Sequence, residues 1–289
     1  MRLSIIQSSL AWENPAANRA MFARKLAPLR DQTDLVVLPE MYTTGFSMNA
    51  GALAEPMDGP TVQWMREQSA LLGGALAGSF ICSEAGNFYN RLLFMRPDGT
   101  FEYYDKKHLF SLTGEHEQYV AGNKQLVVEW RGWRIRPLVC YDLRFPVWSN
   151  NPASPPSSGL AGSAPDGSKD ATSSLPSGER PGNQSSRTPY DLLLYVANWP
   201  SRRSHHWRTL LAARAIENQS FVAGVNIVGK DGNDYEYTGD SAIIDFAGQQ
   251  IVGISGKEGV FTAELSLEER MQYRRQLPFL EDGDIFQLL

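Results

Sequence analysis

The sequence predicts an α/β protein with mixed sheets. Short continuous apolar runs read as buried strands, stretches of helical period and length separate them, and turns rich in Gly and Pro join the later runs into hairpins. Arg2 to Ser8 reads as the first strand, Ala16 to Gln32 as an amphipathic helix, and Asp34 to Leu38 (DLVVL) as a strand buried on both faces, which makes a β-α-β opening. Pro60 to Leu72 is the next helix. Pro60 suits its first turn, where the missing N–H is not needed, and Gly73-Gly74 closes it before Ala75 to Cys82 returns as a strand. Asn90 to Met95 and Phe101 to Tyr104 pair across Pro97-Asp98-Gly99, and Val127 to Trp130 pairs with Trp133 to Cys140 around Arg131-Gly132. Asp191 to Ala197 is a further apolar strand, His205 to Gln219 a helix and Phe221 to Val228 a strand. Ser241 to Phe246 and Gln250 to Ile254 flank the turn Ala247-Gly248.

Asn151 to Pro189 differs from its surroundings: 22 of its 39 residues are Ser, Gly or Pro, and none is aromatic. Such a segment cannot bury enough apolar surface to offset its ordering entropy. With core-like sequence on both sides, it is expected to be a disordered surface insertion (151–189) in one domain spanning 1–289; a linker between two domains is the alternative.

Composition narrows the function. With 289 residues, 42% hydrophobic and 20% charged, the chain has ordinary globular values. A net charge of −5, with basic residues clustering in nothing larger than short pairs such as Lys106-Lys107 and Arg202-Arg203, argues against a nucleic-acid partner. No run approaches the roughly 20 apolar residues of a membrane span, and the N-terminal apolar segment is too short for a signal peptide; a cytoplasmic protein is expected. Cys82 and Cys140 are the only cysteines, too few for a structural zinc site or a disulfide framework. Nucleotide-binding glycine loops and the serine nucleophile elbow are missing, and His116-Glu117 is followed by Val120 where a second zinc-ligating histidine would stand.

The stretch RPLVCYDLRFP (Arg136 to Pro146) is what asks for an explanation: a buried run ends in Cys140 with Tyr141, Asp142 and Arg144 immediately after it. Glu40 likewise follows DLVVLP, and Lys106 follows EYYD. Ligands of open α/β sheets bind outside the carboxyl ends of strands, so the three termini are candidates for one pocket. A thiol, a carboxylate to take its proton and an ammonium to stabilise an oxyanion are the parts of nucleophilic catalysis. Taken singly, Cys140 reads as a buried structural thiol, Glu40 as a loop cap and Lys106 as a solvated lysine. Cys82, inside a strand, reads as core packing. A cysteine-histidine dyad using His108, His116, His205 or His206 stays open at this level.

Four separated stretches carry a family resemblance: LPEMYTTGFS (Leu38 to Ser47), KKHLF (Lys106 to Phe110), LVCYDLRFP (Leu138 to Pro146), and NWPSRRSHHW through ARAIENQ (Asn198 to Gln219). Together they resemble the nitrilase superfamily of carbon-nitrogen hydrolases, with the omega-amidase branch the nearest, from Arg2 to about Leu280 apart from 151–189. The resemblance implies a four-layer α-β-β-α sandwich and a homodimer. It implies no metal and no organic cofactor. By position Glu40 matches the family's general base, Lys106 rather than Lys107 its lysine, Cys140 its nucleophile, and Glu115 rather than Glu117 a second glutamate that positions the substrate. The backbone N–H of Tyr141 would complete an oxyanion hole with Lys106, while Asp142 and Arg144 would hold the turn. The expected substrate is a small-molecule amide with a carboxylate at its far end, met by Arg203 in preference to Arg202, in a pocket lined by Trp199, Phe46 and Tyr42. Another short-chain amidase, carbamoylase or nitrilase would share these residues, whereas a non-catalytic binding protein would be expected to have lost one of Glu40, Lys106 or Cys140. An insertion this near the nucleophile also threatens the placement of Trp148.

Overall fold

The structure, a computed structural model, describes residues 1–151 and 189–284. The expected disordered insertion therefore lies, but for its two end residues, outside the described residues. From the N-terminus come β1 (Arg2–Gln7), α1 (Pro15–Leu26), β2 (Leu35–Val37), α2 (Ala50–Leu53), α3 (Pro60–Leu72), β3 (Ala75–Glu84), β4 (Asn87–Met95) and β5 (Phe101–Asp105). Next are α4 (Glu115–Gln118), β6 (Val128–Trp130), β7 (Trp133–Val139) and α5 (Pro146–Ser149). The chain then forms β8 (Leu192–Val196), α6 (Ser204–Asn218), β9 (Phe221–Val225), β10 (Val228–Lys230), β11 (Glu236–Ile244), β12 (Gln250–Ser255), β13 (Gly259–Glu264) and α7 (Leu267–Gln276).

Two mixed sheets result, one of six strands in the order β13-β1-β2-β3-β4-β5 and one of seven in the order β10-β11-β9-β8-β7-β6, with β12 beside β11. Alternate residues of each strand face opposite ways, and the burial follows that period. Leu3, Ile5, Leu35, Val37, Ala77 and Phe94 meet Ile135, Leu192, Leu194, Val196 and Val225 between the sheets. Ile6, Val36, Leu76 and Met95 turn outward against Phe22 and Leu26 of α1 and Val62 and Met65 of α3. On the far side Trp207, Leu211 and Ala215 of α6 cover the second sheet. The layers are α-β-β-α, the sandwich that the family resemblance implied.

The departures from the sequence reading have local causes. Helix α1 stops at Leu26 and gives way to a 3₁₀ turn over Ala27–Leu29 instead of running to Gln32; Pro28 has no N–H to donate and its ring crowds the preceding turn. Strand β9 ends at Val225, three residues early, because the side chain of Asn226 bonds the Trp199 and Gly239 carbonyls and the Trp199 N–H. Strand β13 and helix α7 carry too little apolar periodicity to stand out. The Ser266 side chain, which accepts from the Glu269 N–H, is nevertheless the start signal of α7. Among the described residues no helix is long and apolar enough to cross a membrane.

Trp148 is not displaced. It is 7% exposed and donates from Nε1 to the Tyr104 hydroxyl at 2.9 Å. A polar junction protects it: Asn151 exchanges two bonds of 3.0 Å with the backbone of Tyr190, and its own N–H reaches Asn218 Oδ1 of α6 at 2.7 Å. The end of α5 and the approach to β8 are thus fixed to each other.

Candidate active site

Strand direction assembles the site. β1, β2 and β3 are parallel, and two antiparallel steps through β4 bring β5 back to the direction of β3; β7, β8 and β9 are parallel in the other sheet. Glu40 lies three residues past the last residue of β2, Lys106 next after β5 and Cys140 next after β7.

Glu40 and Glu115 are fully buried and Lys106 is 1% exposed. The Lys106 Nζ donates to Glu40 Oε1 at 3.0 Å and to both Glu115 oxygens at 2.9 Å. Burial works against the Lys106 charge, but the carboxylates of Glu115 and Glu40 outweigh it and hold the ammonium protonated well above the ordinary lysine range. Burial pushes the Glu115 carboxyl up, against the pull of Lys106. Glu40 is fixed from a second side, where Oε2 accepts the Asn198 N–H at 2.8 Å and its backbone carbonyl accepts Asn198 Nδ2 at 2.7 Å. Glu117, the competing glutamate, is exposed, and Lys107 sits over the Trp148 ring instead.

Cys140 has φ 44°, a left-handed backbone that a residue without special local bonding seldom adopts. The Asp142 carboxylate is one reason it persists. Asp142 Oδ2 accepts the Val139 N–H at 3.0 Å and the Tyr104 hydroxyl at 2.8 Å, and Oδ1 accepts the His108 N–H at 3.0 Å. The His108 Nδ1 lies 2.7 Å from the same Oδ1, and its ring stacks on Phe145 with centroids 3.8 Å apart. One buried carboxylate therefore joins the turn of Cys140 to the segment that carries Lys106. Arg144 does not hold the turn as expected; its guanidinium lies 4.8 Å from the Trp199 ring centroid and donates to His206. Burial, and then the Glu40 carboxylate, push the Cys140 thiol well above the ordinary range, with Lys106 pulling the other way. The resting sulfur is thus a thiol that needs a base.

Cys140 opens onto a cavity of about 520 Å³ whose lining includes Phe46, Lys106, Tyr141, Trp199, Arg202 and Arg203. Arg203 is half-buried, with its guanidinium 5.3 Å from the Phe110 ring centroid, and Arg202 is exposed over Tyr235. Among the described residues neither arginine has a carboxylate partner. Tyr42 is elsewhere: fully buried under α1 and α3, edge-on to Phe22 and tilted against Trp64. It follows Glu40 by two residues, but the backbone between them turns through Met41 at φ 42°, which sends the two side chains into different layers. No histidine lines the cavity; His108 is held behind the turn, and His116, His205 and His206 are exposed.

Several contributors escaped the sequence reading. Asn90, inside a strand, and Asn198, at the end of one, are ordinary polar residues until the structure sets them against Glu40. Trp12 and Asp231 come to the cavity from distant loops and Tyr237 from the start of β11, and no local pattern marks them.

The carbon-nitrogen hydrolase family pattern matches residues 4–150 and 187–275. The chain belongs to the carbon-nitrogen hydrolase family. The break in the match falls on the Ser/Gly/Pro-rich stretch. Omega-amidase YafV of Yersinia enterocolitica is 43% identical over 100% of this chain and 99% of its own length. The 2-oxoglutaramate amidase of Bacillus subtilis is 30% identical over 97% of this chain and 96% of its own. Among solved structures, a CN-hydrolase superfamily protein from Xanthomonas campestris, with an arsenic adduct in its active site, aligns at a TM-score of 0.88 and 46% identity, covering 100% of this chain and 99% of that one. The sandwich of this carbon-nitrogen hydrolase is the nitrilase-superfamily fold.

Proposed function

We propose that the chain is an omega-amidase, hydrolysing the terminal amide of a small 2-oxo dicarboxylic acid monoamide, 2-oxoglutaramate to 2-oxoglutarate and ammonia, through a thioester on Cys140. The observation that carries the chemistry is the Cys140 thiol on a left-handed turn beside a buried Glu40–Lys106–Glu115 cluster. The substrate class rests on relatives named omega-amidase and 2-oxoglutaramate amidase and on two carboxylate-free arginines in the cavity.

In the proposed reaction Glu40 takes the thiol proton as the sulfur attacks the amide carbon, and the oxyanion that forms is stabilised by the Lys106 ammonium and the Tyr141 N–H. The C–N bond breaks as that proton passes to the departing nitrogen, releasing ammonia and leaving the thioester. Water then attacks, Glu40 accepting its proton; the C–S bond breaks and the proton returns to sulfur. Glu115 holds Lys106 in place throughout.

The test is ammonia release from 2-oxoglutaramate, with glutamine and a simple nitrile as competing substrates. Preference for the oxo-amide supports the assignment; silence on it, with Cys140-dependent turnover of another amide, moves the activity to a sister branch such as a short-chain amidase or carbamoylase. Arg203, facing the substrate carboxylate, gives a sharper expectation. Arg203→Ala should raise KM for the oxo-amide about 10- to 100-fold, as loss of a charge-assisted contact does, and leave small neutral amides within about twofold. Equal effects on both would remove Arg203 from that role, and Arg202→Ala is the matched comparison.

A homodimer is expected, since dimers of this family extend the sandwich across subunits. Sedimentation should give about twice the chain mass, and only a 32.2 kDa species would contradict it.

A further inference from the structure

Lys106 has three N–H donors, and all three are engaged, one with Glu40 and two with Glu115. When one of them turns to a substrate oxyanion, two buried carboxylates are left with less than they had. One other side chain touches both. Asn90 of β4, 1% exposed, donates from Nδ2 to Glu40 Oε1 at 2.8 Å and to Glu115 Oε1 at 3.4 Å, and its backbone carbonyl accepts the Lys106 N–H at 3.0 Å. Its remaining atom fixes the orientation. Asn90 Oδ1 is buried without a partner among the described residues. Reversing the amide would set this oxygen against two carboxylates, so the side chain keeps its donor inward even though its acceptor goes unpaired.

We infer that Asn90 is a positioning residue of the reaction: its amide is the shared donor that stays on Glu40 and Glu115 when Lys106 turns to the substrate, keeping Glu40 in place as the base. The inference rests on the roles proposed for Glu40 and Lys106 but not on which amide is the substrate. The ionisable groups facing this cluster include Lys106 at the end of β5, Glu40 after β2, Glu115 on α4, Cys140 after β7, Tyr237 of β11, which lies within electrostatic reach of Glu40 and Cys140, and Tyr119 beyond α4, whose hydroxyl donates to the Ser47 carbonyl.

Asn90→Leu keeps the volume and removes the donor; Asn90→Ser keeps a shorter donor. A carboxylate that loses a donor binds its proton more tightly, so the base ionises only at higher pH. For any amide turned over in a Cys140-dependent way, Asn90→Leu should lower kcat about 10- to 100-fold, leave KM within about threefold, and move the acid limb of the kcat profile up by about one pH unit. Asn90→Ser should fall between this and the parent. An unmoved acid limb, a loss confined to KM, or serine as damaging as leucine would overturn the inference. If leucine prevents folding, serine carries the test, and an unmoved limb there overturns it equally. Because any turned-over amide serves, failure of the 2-oxo acid assignment leaves this outcome readable.

Discussion

Cys140→Ala is expected to lower amide turnover by about 10⁴-fold or more while the protein stays folded, because the proposed acyl bond forms on its sulfur, which opens onto the cavity. Burial and the Glu40 carboxylate push the Cys140 thiol up, so nucleophile and base are separable. Glu40→Gln should leave a neutral, unactivated sulfur and cost about 10²- to 10⁴-fold. A Glu40→Gln enzyme at full rate would remove Glu40 from the mechanism and return attention to a histidine. Cys140→Gly separates chemistry from strain. It should be as inactive as the alanine variant, yet more stable than it by about 1 kcal/mol, since glycine accepts φ 44° without penalty. The measurements are ammonia release and urea midpoints on the three variants. If glycine were no more stable than alanine at position 140, the turn would not be storing strain.

How much of this was visible in the residues depends on the distance over which each signal acts. The catalytic candidates were legible because each sits where an apolar strand ends, and strand ends can be read locally: Glu40 after DLVVLP, Lys106 after EYYD, Cys140 after RIRPLV. That they would share one pocket required the direction of β5, which depends on a pairing with β4 that turn chemistry did suggest. Four layers did not follow from periodicity, which shows that a strand is buried but not whether sheet or helix covers it; the family resemblance supplied that step. Tyr42 was misplaced for a related reason. It stands two residues from Glu40 in sequence, yet one left-handed residue, Met41, separates them in space. Asn90 and Asn198 matter through carboxylates that lie 25 to 158 positions away, and nothing in their own segments records it.

Lys106→Met is expected to damage both the enzyme and the fold, and the pH dependence separates the two. Methionine fills nearly the same space, so what is lost is the charge. Two carboxylates then remain buried where one ammonium had bridged them at 2.9 to 3.0 Å. Removing one partner of a buried ion pair costs about 3–5 kcal/mol at neutral pH. Losing the oxyanion donor should lower kcat by about 10²- to 10³-fold. In the parent, Lys106 binds its proton more tightly folded than unfolded. Its contribution is therefore complete below the ordinary lysine value, about 10.4, and is lost only as pH rises through the higher folded value. In Lys106→Met the sign moves to the carboxylates. Without the cation, the pair in the folded protein holds a proton to higher pH than the unfolded chain does, where glutamate titrates near about 4.3. Stability is then retained below that unfolded value and declines as pH rises through the folded one. The gap between variant and parent should consequently be small at pH 5 and widen towards pH 8, when followed by urea unfolding at both. A gap of the same size at both pH values would mean that the lysine stem, rather than its charge on Glu40 and Glu115, is what the fold requires.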